Sequence, residues 1–397
     1  MFLPEYPDYV KSIIARFESA GEEAFIVGGC LRDALLGKAP DDFDMATSAL
    51  PERTMELFAD KRLITNGLKH GTVTVVVDSH PVEITTFRID GSYTDSRHPD
   101  EVRFTARIEE DLSRRDFTVN AMAYNESAGL VDPFGGREDL ALKLLRAVGD
   151  PERRFDEDAL RIMRAFRFSA QLGFDIEKGT LRGAGEKKDG LRSIARERIG
   201  VEFLKLVTSP DPTDALTKMK LLGVMPYVLG DYLPSDALIR LISKMPAVPS
   251  ARLGLLLSET DGQSVRAVLR ELKYSSKLVS SAAAVAEGAR AEIRSGADAG
   301  RLALHFGDSA PYAALASELL GISPEGAHRL AEDRLTLPHS LGDLAIKGAD
   351  VIALGASGKQ IGEILNSLLE AVIDDPQKNK REILADLAKD LIINDRK

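Results

Sequence analysis

Apolar and polar positions change their period close to residue 146. Before it, short apolar runs and alternating segments prevail. After it, apolar residues recur every three or four positions to the end of the chain, the mark of successive helices. Residues 1–23 are predicted as a helix leading into a first strand, Ala24-Phe25-Ile26-Val27, a brief apolar run of the buried kind. Leu31, Leu35 and Leu36 share one helical face, and Gly37 stops that helix. SALPERTMELFAD reads as a capped helix, with Pro51 in its first turn and Glu52 near the Ser48 cap. Residues 63–90 give two β-rich runs parted by Asp78-Ser79-His80-Pro81 as a hairpin turn. In the second run Glu83, Thr85 and Phe87 fall on one face, Val82, Ile84 and Thr86 on the other. DPFGGREDL, a turn with its own glycine pair, closes this first part. Farther on, Leu160, Met163, Phe166 and Ala170 mark a helical core face. Residues 206–330 read as helix after helix, without a fixed repeat or a catalytic constellation. The predicted class is α+β: a small mixed or antiparallel sheet with helices, followed by an all-helical remainder.

Composition narrows the function. A chain of 397 residues with 44% apolar content has room for two to four domains with real cores. No run of eighteen apolar residues occurs, so no membrane span is expected. The start, charged early, reads as a surface helix rather than a signal peptide. The single cysteine, Cys30, rules out an internal disulfide and a Cys-rich zinc site, and suits a reducing cytosol. Its expected part is a small side chain packed behind a glycine turn. The net charge of −10 argues against a wholly basic nucleic-acid binder. Basic excess is local and small: residues 146–205 hold 14 Lys and Arg against 11 Asp and Glu. Six His with no His-Asp doublet argue against a metal phosphohydrolase.

Candidate chemistry concentrates in residues 25–47, FIVGGCLRDALLGKAPDDFDMAT. Gly28 and Gly29 let the backbone turn sharply after a strand, and the helix start that follows aims free N–H groups at one point, which suits an anion such as a triphosphate. Arg32, one turn in, offers a forked donor to the same phosphates. Asp42 and Asp44 leave one face of a strand, while Phe43 and Met45 point into a core. Two acids side by side repel unless a cation lies between them, and a divalent metal is the natural one. A strand-GG-helix alone is common scaffolding, and a lone Asp-x-Asp is often a solvated loop. Together they point to metal-assisted phosphoryl or nucleotidyl transfer. Glu83, an acid in mid-strand, either has a partner or completes a metal site with Asp42 and Asp44 in the same sheet.

Three further stretches remain open on their residues alone. Residues 91–100, GSYTDSRHPD, form a polar loop expected to move. In DLSRRDFTVNAMAYN, Asp116 and Asn120 share a face if helical, so they could grip ribose hydroxyls while Arg115 reaches a phosphate; an ordinary capped helix start explains them equally well. In DPERRFDEDALRIMRAFRFSAQLGF, Asp158, Arg161, Arg164 and Arg167 recur every third position as a winding polar ridge. On charge spacing alone this is a solvated face with ion pairs such as Glu157 with Arg161. Gly355, Gly358 and Gly362 around Lys359 fit either a nucleic-acid phosphate contact or a plain interhelical turn.

GGCLRD–DDFDMAT, GLKHGTVTV, VEITTFR, RRDFTVNAM, DPFGG and EDALRIMRAFRF stand in one order. That order resembles the class II tRNA nucleotidyltransferases, the CCA-adding enzymes, close kin of bacterial poly(A) polymerases. The likeness is strong over residues 20–205 and continues weakly through LAIKGADVIAL and GKQIGEIL. It implies a seahorse of nucleotidyltransferase head (1–140), base-recognising neck (141–205), body (206–310) and tRNA-binding tail (311–397). It implies that Asp42 and Asp44 bind catalytic Mg²⁺ and that Gly29 and Arg32 hold the triphosphate; the residue pattern adds Gly28 to the phosphate turn and Glu83 to the catalytic set. Arg115, Asp116 and Asn120 match the motif that contacts ribose and phosphate. Glu157, Asp158 and Arg161 match the amino-acid template for the incoming base, with Arg164 and Arg167 in the same pocket. Cys30-Leu31, where a valine commonly precedes the arginine, and Phe43 between the aspartates are the departures; both point into packing. The implied reaction is template-independent addition of CCA to the tRNA 3′ end from CTP and ATP, by a two-metal in-line attack, in the cytoplasm, by a monomer or homodimer. An enzyme adding only A or only CC, a poly(A) polymerase and a non-catalytic tRNA binder are the rivals.

Overall fold

The computed structural model describes residues 6–90, 102–336 and 340–394. The chain forms two units, Met1–Leu206 with Asp214–Gly230, and Val207–Thr213 with Asp231–Lys397.

The first unit opens with α1 (Asp8–Ser19), which buries Val10, Ile13, Ile14 and Phe17 at helical spacing. β1 (Ala24–Val27) is buried at all four positions and leads directly into α2 (Gly28–Leu35). β2 (Asp44–Thr47) pairs antiparallel with β1. Next comes α3 (Pro51–Leu57), but Ser48 is not its cap. The Ser48 hydroxyl instead donates to Glu22 and accepts from the Glu23 N–H, tying the end of β2 to the start of β1. β3 (Arg62–Ile64), β4 (Thr72–Val77) and β5 (His80–Thr86) follow. The hairpin between β4 and β5 needs only Asp78 and Ser79, whose φ of 48° and 68° suit a two-residue turn, so His80 and Pro81 already belong to β5.

β6 (Arg88–Asp90) pairs with β7 (Val102–Phe104), and the loop expected over 91–100 lies outside the described residues. α4 (Ile108–Ser113), β8 (Ala123–Asn125), β9 (Gly129–Val131) and α5 (Gly136–Leu142) complete the sheet part. Seven strands lie in the order β3-β4-β5-β2-β1-β8-β9. Among the described strands of this sheet only β2 and β5 pair in parallel; α3 with the β3-β4 pair provides the crossover that a parallel pair needs. Phe25, Val27, Ala46, Phe87, Leu112 and Ala121 form a core under this sheet.

After β10 (Leu144–Leu145) the unit is helical: α6 (Pro151–Glu157), α7 (Leu160–Leu172), the short β11 (Asp175–Ile176), α8 (Lys178–Glu186) and α9 (Arg196–Val207). The periodicity read through residues 150–174 is interrupted at Asp158, whose φ of −148° and ψ of 101° are extended and separate α6 from α7. Leu160, Met163, Phe166 and Ala170 are buried as expected. Arg161 and Arg167 are buried too, at 9% and 8% exposure, so the ridge is not a solvated face. Arg161 gives its protons to the Glu157 carboxylate and to the carbonyls of Arg154 and Arg114, and Arg167 pairs with buried Glu202 at 2.5 Å. Burial of these guanidiniums is tolerated because each has partners.

The second unit is helical. Its core includes Leu238, Met245, Ala251, Leu255 and Val285, and buried Arg252 donates to the carbonyls of Met245, Val207 and Ser209. A separate C-terminal cluster gathers Ile346, Val351, Leu368, Leu369, Val372 and Leu384. Gly355 and Gly358 take φ of 104° and 58°, which is the plain requirement of a turn before the helix Gln360–Asp374. Among the described residues no helix is long and apolar enough to cross a membrane.

Candidate active site

A cavity of about 420 Å³ opens in the first unit. Its floor is the junction of β1 and α2. Gly28 has φ +73°, and a Cβ there would lie 3.2 Å from Nη1 of Arg115, so both the backbone and the neighbour call for glycine. Gly29 has no such strain, and its Cβ would make an ordinary 3.5 Å contact with Arg32. Gly28→Ala is therefore expected to cost about 1–2 kcal/mol in a urea melt, with Gly29→Ala clearly milder. Equal effects from the two variants would contradict this account.

The acid pair sits beside that floor. β2 begins at Asp44, so Asp42 belongs to the preceding bend, yet both acids are exposed while Phe43 and Met45 are buried. Asp44 lies on the cavity wall and stands opposite Glu83 in the parallel pairing of β2 with β5. Glu83 is exposed on that open face. Phe87, expected beside it, lies beyond the end of β5 and is fully buried in the core, so Glu83 is not a carboxylate trapped among apolar neighbours. Asp44 keeps surface open to solvent but is crowded by the cavity wall; that partial desolvation, followed by the charges of Asp42 and Glu83, pushes its pKa up to about 6, against the pull of Arg115. Cys30 packs behind the turn as expected: its Sγ lies 3.0 Å from the Val27 carbonyl and accepts the Asp44 N–H at 3.4 Å. Burial raises this thiol to about 11, so it stays protonated.

Two mutually repelling hard-oxygen donors on an open face suit a divalent cation. Among the described residues no three His, Cys, Asp or Glu side chains stand close enough to hold a metal. The fit is thus to an ion taking Asp42 and Asp44 and filling its remaining positions with water and phosphate oxygens, as magnesium sites commonly do.

The rest of the lining is rich in arginines. Arg32 is 7% exposed and fixed on both sides: Asp33 grips Nε and Nη2 at 2.9 Å each, and Nη1 donates to Asn120 Oδ1 at 2.7 Å. Asn120 Nδ2 in turn donates to Asp116 Oδ1 at 3.1 Å. Asp116 and Asn120 are not on one α-helix; residues Thr118–Asn120 form a single 3-10 turn, which still brings the two side chains together. Asp116 Oδ2 accepts from Arg164 Nε at 2.8 Å and Nη2 at 2.5 Å. Burial alone would raise the Asp116 pKa, but the Arg164 charge and hydrogen bonds outweigh it and hold the group down to about 2. Arg114 and Arg115 share the buried Asp111. The Asp111 pKa is lowered: burial works against ionisation, and the two arginines overcome it.

At the α6–α7 break Asp158 reaches the same cavity. Its Oδ1 accepts the Leu160 N–H at 3.0 Å, and Oδ2 has a long 3.5 Å contact from Arg198. Arg161 stands beside it, oriented by Glu157 at 2.9 Å, which also takes Arg154 at 2.7 Å. Six arginines (Arg32, Arg114, Arg115, Arg161, Arg164 and Arg198) face three carboxylates (Asp44, Asp116 and Asp158) around the cavity. That imbalance favours a polyanion. Among the described residues Arg115 Nε and Arg198 Nη1 find no hydrogen-bond partner although both are buried.

Ten of the predicted residues meet on this wall: Gly28, Gly29, Arg32, Asp44, Arg115, Asp116, Asn120, Asp158, Arg161 and Arg164. Asp42, Glu83, Glu157 and Arg167 do not line it. Sequence reading missed Arg114, Leu160, Phe168 and Arg198. Arg114 adjoins a motif that was read, and Phe168 is one turn beyond Arg164; Arg198 arrives from α9 and had no local signal.

Comparison with known proteins agrees with this geometry. Residues 24–146 match the Poly A polymerase head domain, 173–234 the probable RNA and SrmB-binding site of polymerase A, and 252–388 the putative tRNA nucleotidyltransferase domain 2. The CCA-adding enzyme of Lactiplantibacillus plantarum is 37% identical over 402 residues, covering 98% of this chain and 97% of that one. That of Leuconostoc citreum is 37% identical, covering 99% and 98%. The crystal structure of the Bacillus stearothermophilus CCA-adding enzyme in complex with CTP superposes with a TM-score of 0.82 at 32% identity, covering 99% of this chain and all of that one. With an α+β head, a helical remainder and near-complete coverage by these relatives, the chain belongs to the class II CCA-adding enzymes, a family of tRNA nucleotidyltransferases.

Proposed function

We propose that this cavity binds CTP and ATP in turn and that the chain's own side chains select them while CCA is built on the 3′ end of a tRNA. One observation carries the reading: the Gly28-Gly29 turn, Arg32 and Asp44 line the same cavity as Asp158 and Arg161. A nucleoside triphosphate has the matching polarity, an anionic tail and a hydrogen-bonding base.

Arg32 and Arg115, beside the glycine turn, steady the triphosphate as forked donors. Asn120 sets the Arg32 fork, and Asp116 holds Arg164 near the ribose side. Cytosine and adenine both present an exocyclic amino donor next to a ring-nitrogen acceptor. Asp158 accepts and Arg161 donates, so both bases are complemented, whereas uracil and guanine reverse both partners and leave polar groups unmatched. Glu157 acts behind Arg161 by fixing its plane, and Arg167 acts behind the wall through Glu202. In the reaction a bond forms between the tRNA 3′ oxygen and the α-phosphorus, the α–β bridging bond breaks in line, and pyrophosphate leaves with its charge met by Arg32 and the turn. Magnesium at Asp42 and Asp44, with Glu83 adding negative charge alongside, would supply Lewis-acid activation by the two-metal route. Residues 1–140 serve as catalytic head, 141–205 as base-reading neck, and 206–310 and 311–397 as body and tail for the tRNA. A lone, buried, protonated thiol suits a cytoplasmic setting.

The test uses purified protein, Mg²⁺, labelled CTP or ATP, and three tRNAs ending at the discriminator base, after C, or after CC. Two C additions followed by one A are expected, with none from UTP or GTP. A-only addition, long A tails, no product, or incorporation that persists after metal is stripped with EDTA would each overturn the reading.

A further inference from the structure

One ring on the cavity wall has no polar atom of its own and sits among the wall's charges. Phe168 of α7 lines the cavity and is 7% exposed. The guanidinium carbons of Arg167, Arg164 and Arg32 lie over this ring, 3.9, 5.2 and 5.3 Å from its centre. Arg164 and Arg167 share α7 with the ring, whereas Arg32 comes from α2 at the glycine turn. Three cations this close repel one another. Each has its own acid, Asp116, Glu202 and Asp33 respectively for Arg164, Arg167 and Arg32, and the ring is what they have in common. An aromatic face attracts cations through its quadrupole, more strongly where water is excluded. The fully buried Phe117 meets Phe168 edge-on at 5.9 Å and 81°, which keeps the ring from swinging.

We infer that Phe168 is a positioning residue for nucleotide binding: its face holds Arg32 and Arg164 at a set separation before the nucleotide arrives. This rests on the triphosphate and ribose-side parts given above to those two arginines and deepens that reading. The ring touches no reacting atom and acts only through the guanidiniums. Because it reads no base, it serves CTP and ATP alike. Its effect is preorganisation, which lowers the ordering cost of binding rather than the barrier to chemistry.

The experiment replaces Phe168 in the full chain by 4-fluoro-, 3,5-difluoro- and 3,4,5-trifluorophenylalanine. Each keeps the ring's shape while draining negative potential from its face. Single additions are followed with CTP on a tRNA lacking CCA and with ATP on a tRNA ending in CC. The KM for both nucleotides should climb stepwise with fluorine number, by about tenfold across the series. The kcat should stay within about twofold, and the tRNA dissociation constant should not move. Phe168→Leu should match or exceed the trifluoro protein. A flat KM across the series overturns the inference, as does a rise confined to one nucleotide. Should Phe168→Leu fail to fold, the fluorinated series still decides. A wild-type protein that incorporates nothing sinks the catalytic reading itself; a flat series in an active enzyme sinks only the role of Phe168.

Discussion

Asp44→Asn is expected to lower nucleotide incorporation by roughly a thousandfold or more, because in the proposed reaction it removes an anionic oxygen donor from the place where phosphate and hydroxyl meet. Asp42→Asn should do the same. The two variants should bind tRNA as the wild type does, since neither acid belongs to the second unit, the part proposed to hold most of the tRNA. Stability should move the other way. The Asp44 carboxyl is pushed up to about 6 by partial desolvation and by the charges of Asp42 and Glu83, so at pH 7 its ionised form works against the metal-free fold. The sign follows directly: for a carboxyl raised above its unfolded value, stability grows as pH falls through the folded pKa. Asp44→Asn in metal-free buffer at pH 7 should therefore melt at or above the wild-type temperature while being inactive. Near-normal incorporation would refute the role of the acid pair, and a large loss of Tm would refute the electrostatic account of it. Function held at the expense of stability is the usual pattern for such sites.

The second large effect is expected at Asp116. Its carboxylate accepts the Phe117 N–H, the Asn120 amide and two donors of Arg164, and its side chain is only 8% exposed. Asp116→Asn keeps the shape but strips the charge and strands Arg164. Removing one partner of a buried ion pair costs about 3–5 kcal/mol in general. Arg164 keeps a third of its side-chain surface in solvent, so the lower end, about 3 kcal/mol, is expected here. A urea titration that gives the wild-type midpoint would rule it out. Acid adds a second check. The Asp116 pKa is held near 2 in the folded protein, below its unfolded value, so the stability it provides is present above about pH 4 and is lost as pH falls towards 2. That loss is about 2 kcal/mol and should be absent from Asp116→Asn. Because Asp116 also orients Asn120, and through it Arg32, the variant should bind CTP and ATP more weakly as well.

Much of this site is local and hence legible. The Gly28-Gly29 turn, Arg32 and the alternation of Asp42, Phe43, Asp44 and Met45 are each set by residues within a few positions of one another. The core face of α7 was legible for the same reason. The winding ridge on that helix was not. Spacing assigns Arg161 and Arg167 to solvent, and only the packing of α6, α9 and the Arg114 carbonyl around them shows that they are buried and paired. The break at Asp158 was also hidden, since an extended residue between two good helix formers leaves no glycine or proline to mark it.

By itself the sequence determined the chain's class, the glycine turn, the alternation that leaves Asp42 and Asp44 exposed and buries Phe43 and Met45, and the order of motifs, because these depend on short-range periodicity and backbone freedom. Tertiary structure alone decided that Asp44 faces Glu83 across a parallel pair, that Asp116 spends its charge on Arg164, and that Phe168 and Arg198 join the wall. Those facts require segments far apart in the chain to meet, and burial then sets charge, pKa and partner in ways no local pattern records.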